Sequence, residues 1–233
     1  MKYIFKSKDP MRLNAYLAYL GIASRRGADT LIERGKIRVN GSIAKLGTKL
    51  TFNDNVETEA RESVYKYALY YKPRGEITGT LKTLPNLHPL GRLDKESEGL
   101  LLYTDDYRMT DALLNPEHGH EREYSVTVRE QMTPRVERLL MSGITTQEAT
   151  YKKAVRVVIS PNMHTLHITL SEGKKHEIRR MLNALNLTII SLKRIRILFL
   201  TLGKLKPSET RTLTEKEETH LLTILSSRNK NVS

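Results

Sequence analysis

The chain contains no cysteine and no tryptophan among its 233 residues. Lack of cysteine rules out a disulfide framework, a thiolate-held zinc or iron–sulfur site and a cysteine nucleophile. Long apolar runs are absent as well. Ile195-Arg196-Ile197-Leu198-Phe199-Leu200 is short and broken by charge, far below the roughly 20 apolar residues that span a bilayer. Met1-Lys2-Tyr3-Ile4-Phe5-Lys6 has neither the apolar core nor the cleavage site of a secretory signal. The expectation is a cytoplasmic chain with no membrane partner. Also absent are Gly-x-Gly-x-x-Gly, a phosphate loop ending in Gly-Lys-Ser/Thr, and Gly-x-Ser-x-Gly. His176-Glu177-Ile178-Arg179-Arg180 begins like a zinc helix but carries Arg180 where a second histidine is needed, and His118-x-His120 has no third ligand in view. No metal and no cofactor are expected.

What the chain does have is positive charge: 39 Lys and Arg against 26 Asp and Glu give +13. Such an excess suits a polyanion, with nucleic acid the leading partner. At about 150 residues per domain, the length fits one large domain or two unequal ones.

A short helix is expected from Leu13 to Leu20. A second runs from Arg25 to Arg34, capped by Ser24 and stopped by Gly35. Lys36 to Asn40 reads as a strand entering an Asn40-Gly41 turn. These form a unit of residues 1–60, with a polar linker at 61–63 and a second domain over 64–226. Arg12, Arg25, Arg26, Lys36 and Arg38 cluster on neighbouring elements of the first unit with few acids between them. That pattern fits phosphate gripping better than a solvated helix face.

In the second domain, strands are expected at 64–71, 99–104, 123–128, 166–170 and 188–202. Helices are expected at 107–114, 134–140 and 174–185. Thr214 and Glu217 mark a capping box for a last helix, followed by a tail at 227–233. Strands outnumber helices without alternating with them, so the expected class is α+β: a small module, then a mixed, mainly antiparallel sheet with flanking helices.

Two segments concentrate reactive side chains. Gly91-Arg92-Leu93-Asp94-Lys95-Glu96-Ser97-Glu98-Gly99 is a charged loop delivered onto a buried strand. Asp94 stands beside apolar Leu93, with Arg92 and Lys95 expected to hold its carboxylate ionised. Ser171 to Met181 is the second. On the expected helix its cations oppose the dipole, which suggests a use. Lys174, Lys175 and Arg180 are candidates for RNA backbone while Arg179 faces inward.

Met11-Arg12-Leu13-Asn14 through Gly41 resembles the small RNA-binding module named after a ribosomal protein of the small subunit, the S-four-type module. Four further segments resemble, in order, the motifs of the RsuA/RluB/RluE/RluF pseudouridine synthases. They are Lys72-Pro73-Arg74-Gly75; Gly91-Arg92-Leu93-Asp94 with Gly99-Leu100-Leu101-Leu102; Glu123-Tyr124; and Glu172-Gly173 with Arg179-Arg180-Met181. The resemblance implies the pseudouridine synthase fold and isomerisation of uridine in structured RNA, with no cofactor. It assigns Asp94 as the catalytic aspartate, Tyr124 as the tyrosine packed on the target base and Arg179 as the basic partner of Asp94. Arg92 becomes a candidate to fill the place of a flipped nucleotide or to hold the flanking phosphate. The chemical role of Asp94, nucleophile or base, stays open, with proton abstraction from the sugar favoured.

The spacing from Asp94 to Ser97 and the run Glu121 to Tyr124 are most similar to RluF-type members. That favours large-subunit ribosomal RNA, with small-subunit rRNA and tRNA as alternatives, and a monomer is expected. Four positions depart from the family pattern: Ser97 for Thr, Tyr107 for Gly, Arg122 for Lys, and Glu177 for Gln, the last placing a negative charge near Arg179. Two readings compete. A non-catalytic ribosome-assembly factor explains the charge but not the trio Asp94, Tyr124 and Arg179. A glycoside hydrolase pairing Asp94 with Glu96 or Glu98 explains neither the basic surface nor the RNA-binding module, and sugar-binding tryptophans are missing.

Overall fold

A computed structural model describes residues 1–59, 65–146 and 149–229. They form two compact units. One takes the described residues of 1–66, 104–112 and 214–229, and the other takes those of 67–103 and 113–213.

The first unit opens with β1 (Lys2–Ile4), β2 (Met11–Arg12), α1 (Leu13–Tyr19), α2 (Arg25–Glu33), β3 (Ile37–Val39), β4 (Ser42–Ile43), β5 (Lys49–Leu50) and β6 (Asn55–Thr58). Ser24 caps α2 as its position suggests, its Oγ accepting the Gly27 N–H at 2.9 Å. The Asn40-Gly41 turn has both residues at positive φ, 51° and 81°, as a two-residue hairpin between β3 and β4 requires. The sheet runs β1-β6-β3-β4. α1 and α2 close over it by burying Leu13, Tyr16, Leu17, Ala28 and Ile32 against Phe5, Ile37, Leu50 and Val56.

The chain continues through β7 (Tyr67–Lys72), β8 (His88–Leu90), β9 (Glu98–Thr104), α3 (Arg108–Leu114), a 3-10 turn (Pro116–His118), β10 (Arg122–Val128) and α4 (Pro134–Ser142). After these come β11 (Ile144–Thr145), β12 (Thr150–Tyr151), β13 (Arg156–Ile159), β14 (Thr165–Leu170), α5 (Glu177–Asn183), β15 (Ile189–Ile197), β16 (Leu200–Thr201), β17 (Thr210–Thr212) and α6 (Glu215–Asn229).

A nine-stranded sheet in the order β13-β14-β10-β15-β9-β7-β17 forms the second unit, with β16 on β15 and β8 on β9. The pairs β13–β14, β14–β10, β10–β15 and β7–β17 are antiparallel, while β15 and β9 run parallel. The sheet is thus mixed and mainly antiparallel, and the class is α+β as expected. α4, α5 and one end of the sheet enclose a core of Val126, Leu140, Leu166, Ile168, Met181 and Leu182. Ala68, Tyr70, Leu93, Leu101 and Tyr103 form a second apolar group. Tyr124 packs against both.

Gly99 makes the parallel junction possible. It lies opposite Arg194 of β15, at φ +113°, where a Cβ would sit 2.3 Å from the Arg194 carbonyl oxygen and 2.7 Å from its nitrogen. Only glycine lets the two backbones approach this closely.

The expected elements lie within a few residues of their expected bounds, β1, β2, β8 and β17 lie where no element is expected, and three further differences stand out. β13 and the β11–β12 hairpin carry no period-2 signal long enough to read. α6 extends to Asn229, into the expected tail. The helix expected from Lys174 starts only at Glu177. The linker at 61–63 lies outside the described residues. Among the described residues, no helix is long and apolar enough to cross a membrane.

Candidate active site

Three stretches of the second unit build the site, each fixed by a buried polar anchor. The first follows β7. Lys72 is fully buried, and its Nζ donates to the carbonyls of Pro73 at 2.9 Å, Glu76 at 2.7 Å and Lys95 at 3.5 Å. An ammonium has three protons to place, and here three carbonyls receive them. Burial pulls the Lys72 pKa below the ordinary lysine value, while Glu76, Asp94, Glu96 and Glu98 push it back up. Thr78 then grips the second stretch at Leu93, donating to its carbonyl at 2.8 Å and accepting its N–H at 3.1 Å.

The second stretch is the Asp94 loop. Ser97 N–H donates to the Asp94 carbonyl at 3.0 Å, and Gly75 N–H to the Lys95 carbonyl at 2.7 Å. Glu96 and Glu98 are engaged elsewhere. Arg74 lies 3.2 Å from Glu96, the Tyr71 hydroxyl donates to Glu98 at 3.1 Å, and Lys193 lies 3.5 Å from Glu98. Both acids thus have partners outside the Asp94 carboxylate.

The third stretch precedes α5. His176 adopts the left-handed conformation, φ +56°. The Glu177 carboxylate folds back to accept the Lys174 N–H at 3.1 Å. This turn is why the helix begins at Glu177. Lys174 and Lys175 therefore stand just before it, where with Arg179 in its first turn they still face the positive end of its dipole. Lys174 is tied to structure, its Nζ donating to the Thr150 carbonyl at 2.9 Å and lying 3.1 Å from Glu172. Glu177 is buried. Burial raises its pKa above the usual carboxylate value, Glu172 adds to the rise, and the Lys174 N–H, the Lys174 charge and Arg122 oppose it. The side chain that departs from the family pattern is thus engaged in the turn as a hydrogen-bond acceptor.

These stretches bring Asp94, Arg179, Ser97 and His176 together. Arg179 Nε lies 3.8 Å from Asp94 Oδ2, and His176 Nε2 lies 3.4 Å from Oδ1. Arg179 Nη2 donates to Ser97 Oγ at 3.0 Å. Ser97 is 1% exposed, whereas the Asp94 side chain is 39% exposed. A buried hydroxyl thus holds a guanidinium that approaches an accessible carboxylate. Arg92 and Lys95, expected as the cations of Asp94, are instead exposed. Residues adjacent in an irregular turn diverge, and the side chains that approach the carboxylate, Arg179 and His176, come from another segment.

Tyr124 sits where the pairing of β10 with β15 shifts register, between Glu123 and Tyr124. Such an irregularity re-aims a side chain relative to its neighbours. Tyr124 lies against the apolar group that holds Leu93, next to Asp94 in sequence.

The remaining basic candidates separate into two sets. Arg12, Arg25, Arg26, Lys36 and Arg38 are exposed on the first unit. Lys36 lies 3.2 Å from Glu59, and Arg38 donates to the Gly41 carbonyl at 3.0 Å. On the second unit, Arg92 and Lys175 are exposed, while Arg180 is half-buried and donates to the Tyr151 hydroxyl at 3.4 Å. The residues missed by sequence reasoning are Lys72 and His176. No pattern announces a left-handed histidine, and a lysine before proline reads as a solvated turn.

Residues 66–184 match the RNA pseudouridylate synthase family, and residues 11–56 match the S4 domain. The chain is 34% identical over 229 residues to the ribosomal large subunit pseudouridine synthase B of Bacillus subtilis, an alignment that covers 88% of this chain and 93% of that protein. It is 31% identical over 225 residues to the dual-specificity RNA pseudouridine synthase RluF of Escherichia coli, covering 89% and 77%. A crystal structure of a pseudouridylate synthase superposes with a TM-score of 0.67 at 26% identity, over 91% of this chain and 99% of that one. Sequence, fold and ordered motifs agree: the chain belongs to the RNA pseudouridine synthase family, as an RsuA-type member that carries an S4 domain.

Proposed function

We propose that this chain isomerises uridine to pseudouridine in large-subunit ribosomal RNA, with Asp94 as the catalytic aspartate. The observation that carries the reading is the accessible Asp94 carboxylate with Arg179 and His176 at its two oxygens. The names of the relatives, synthases of the large ribosomal subunit among them, support the substrate.

The isomerisation conserves every atom. The bond from uracil N1 to sugar C1′ breaks, the base turns, C5 bonds to C1′, the C5 proton leaves and N1 gains one. Asp94 acts as a base toward the sugar, taking a proton to give a glycal-like intermediate and returning it as the new bond forms. Arg179 favours the ionised carboxylate and aims it. Tyr124 offers a ring face to the uracil and a hydroxyl near the proton leaving C5. The target nucleotide flips out of its stack at a cost of roughly a few kcal/mol, so a uridine already in a loop is preferred. Arg92 occupies the vacated place or holds the flanking phosphate. Arg12, Arg25, Arg26, Lys36 and Arg38 add affinity through phosphates, which position the RNA without reading its sequence. Lys175 is placed to contribute further backbone contacts. Lys174 and Arg180 contribute through the turn and helix they brace.

Pseudouridine mapping in ribosomal RNA from a strain lacking the gene tests the reading. The expected result is loss of modification at one or a few large-subunit uridines, restored by the wild-type chain and not by Asp94→Asn. Loss confined to small-subunit rRNA or tRNA would reassign the substrate, and no loss anywhere would contradict the activity.

A further inference from the structure

We infer that His176 is a positioning residue for Asp94, held in a strained backbone conformation for that purpose. The inference rests on the reading of Asp94 as the catalytic aspartate and deepens it. His176 Nε2 lies 3.4 Å from Asp94 Oδ1, while Arg179 Nε faces the other oxygen, Oδ2. A carboxylate approached at one oxygen alone rotates about its χ2 torsion, which is broad and weakly restrained. Polar groups facing both oxygens narrow the orientations open to the carboxylate, and with them the direction in which it meets the sugar. Arg179 is itself anchored to Ser97, so His176 supplies the second, independent restraint.

The backbone of His176 points the same way. It sits at φ +56°, ψ 25°, immediately before α5, and its side chain makes no capping hydrogen bond to that helix. Asparagine and glycine adopt this conformation at less cost. The turn is secured by its neighbours: Lys174 N–H on the Glu177 carboxylate and Arg180 N–H on the His176 carbonyl at 2.9 Å. Neither bond uses the imidazole. A side chain that the turn does not need, at a position asparagine or glycine fills at less cost, is explained by what it touches. The His176 and Asp94 side chains are 41% and 39% exposed, so the contact lies on the face that RNA can reach.

The test compares His176→Asn, His176→Gly and His176→Gln with Asp94→Asn, measuring Tm together with kcat and KM for pseudouridine formation on ribosomal RNA. Asparagine and glycine suit the backbone and do not reach Asp94, whereas glutamine places an N–H donor at a length similar to Nε2. The expected result is a Tm at or above wild type for the Asn and Gly variants, with kcat about tenfold lower and KM within twofold. The Gln variant should recover most of the lost kcat. Full kcat in His176→Asn overturns the inference. So does a loss of kcat that tracks a fall in Tm, a rise in KM alone, or failure of Gln to rescue. Full activity in Asp94→Asn would instead overturn the underlying reading of Asp94, and the two failures are told apart by that variant.

Discussion

Ser97→Ala probes the support beneath the site. Ser97 Oγ is buried and accepts a hydrogen bond from Arg179 Nη2 at 3.0 Å. A hydrogen bond to a charged group contributes about 1.5–3 kcal/mol. The Arg179 side chain is 29% exposed, so water replaces part of the lost bond and the lower end applies, about 1.5 kcal/mol. If Ser97 serves to aim Arg179 at Asp94, that energy appears in the transition state, where about 1.4 kcal/mol is tenfold in rate. The expected outcome is a kcat about tenfold below wild type with KM for RNA little changed, since binding through the S4 domain is untouched. Ser97→Thr restores the hydroxyl and should return kcat to within about twofold. Steady-state turnover on ribosomal RNA transcripts, alongside thermal melting, measures both. A Ser97→Ala protein with wild-type kcat and a lowered Tm would refute the reasoning, because Ser97 would then support only the loop.

Gly99→Ala should cost about 3 kcal/mol or more, since φ +113° and a Cβ 2.3 Å from a backbone oxygen leave no relaxed solution. At about 2–4 °C per kcal/mol for a chain of this size, melting should fall by at least about 6 °C. Glu177→Gln should raise Tm at neutral pH. A carboxyl whose folded pKa lies above its unfolded value gives stability that is present at low pH and lost as pH rises through the folded pKa. The advantage of the amide should therefore vanish below the ordinary carboxylate range, and a lower Tm at neutral pH would show that the charge itself holds the turn. Arg25→Gln with Arg26→Gln should weaken RNA binding and reduce the slope of log K against log salt by about 1.5. An unchanged slope in a filter-binding titration would remove both from the phosphate contacts.

The elements most legible in the sequence are those fixed by local chemistry. Ser24 before Arg25, Asn40-Gly41 between two strands, and Thr214 with Glu217 each name a hydrogen bond that the structure contains, the last closing with Thr214 N–H on the Glu217 carboxylate at 2.9 Å. Asp94 and Arg179 were legible through ordered motifs, and the structure brings them within 3.8 Å. What the sequence did not disclose depends on segments distant in the chain. That His176 and Arg179, not Arg92 and Lys95, approach Asp94 follows from the meeting of two stretches some 80 residues apart. Ser97 reads in sequence as a conservative replacement of threonine, and its link to Arg179 depends on a segment 82 residues away. Lys72 has no local signal of burial, because the carbonyls that satisfy it belong to a turn and to the Asp94 loop. The helix drawn from Lys174 erred for a similar reason, since periodicity does not register a single left-handed residue.

The most direct measurement of the central claim is tritium release from ribosomal RNA labelled at C5 of uridine and prepared from cells lacking the gene, comparing wild type with Asp94→Asn. Formation of the C5–C1′ bond expels that label, so release by the wild type alone, with both proteins equally folded and both binding the RNA, is the expected result. Equal release by Asp94→Asn would contradict the assignment of Asp94, and release by neither would contradict the proposed activity on ribosomal RNA.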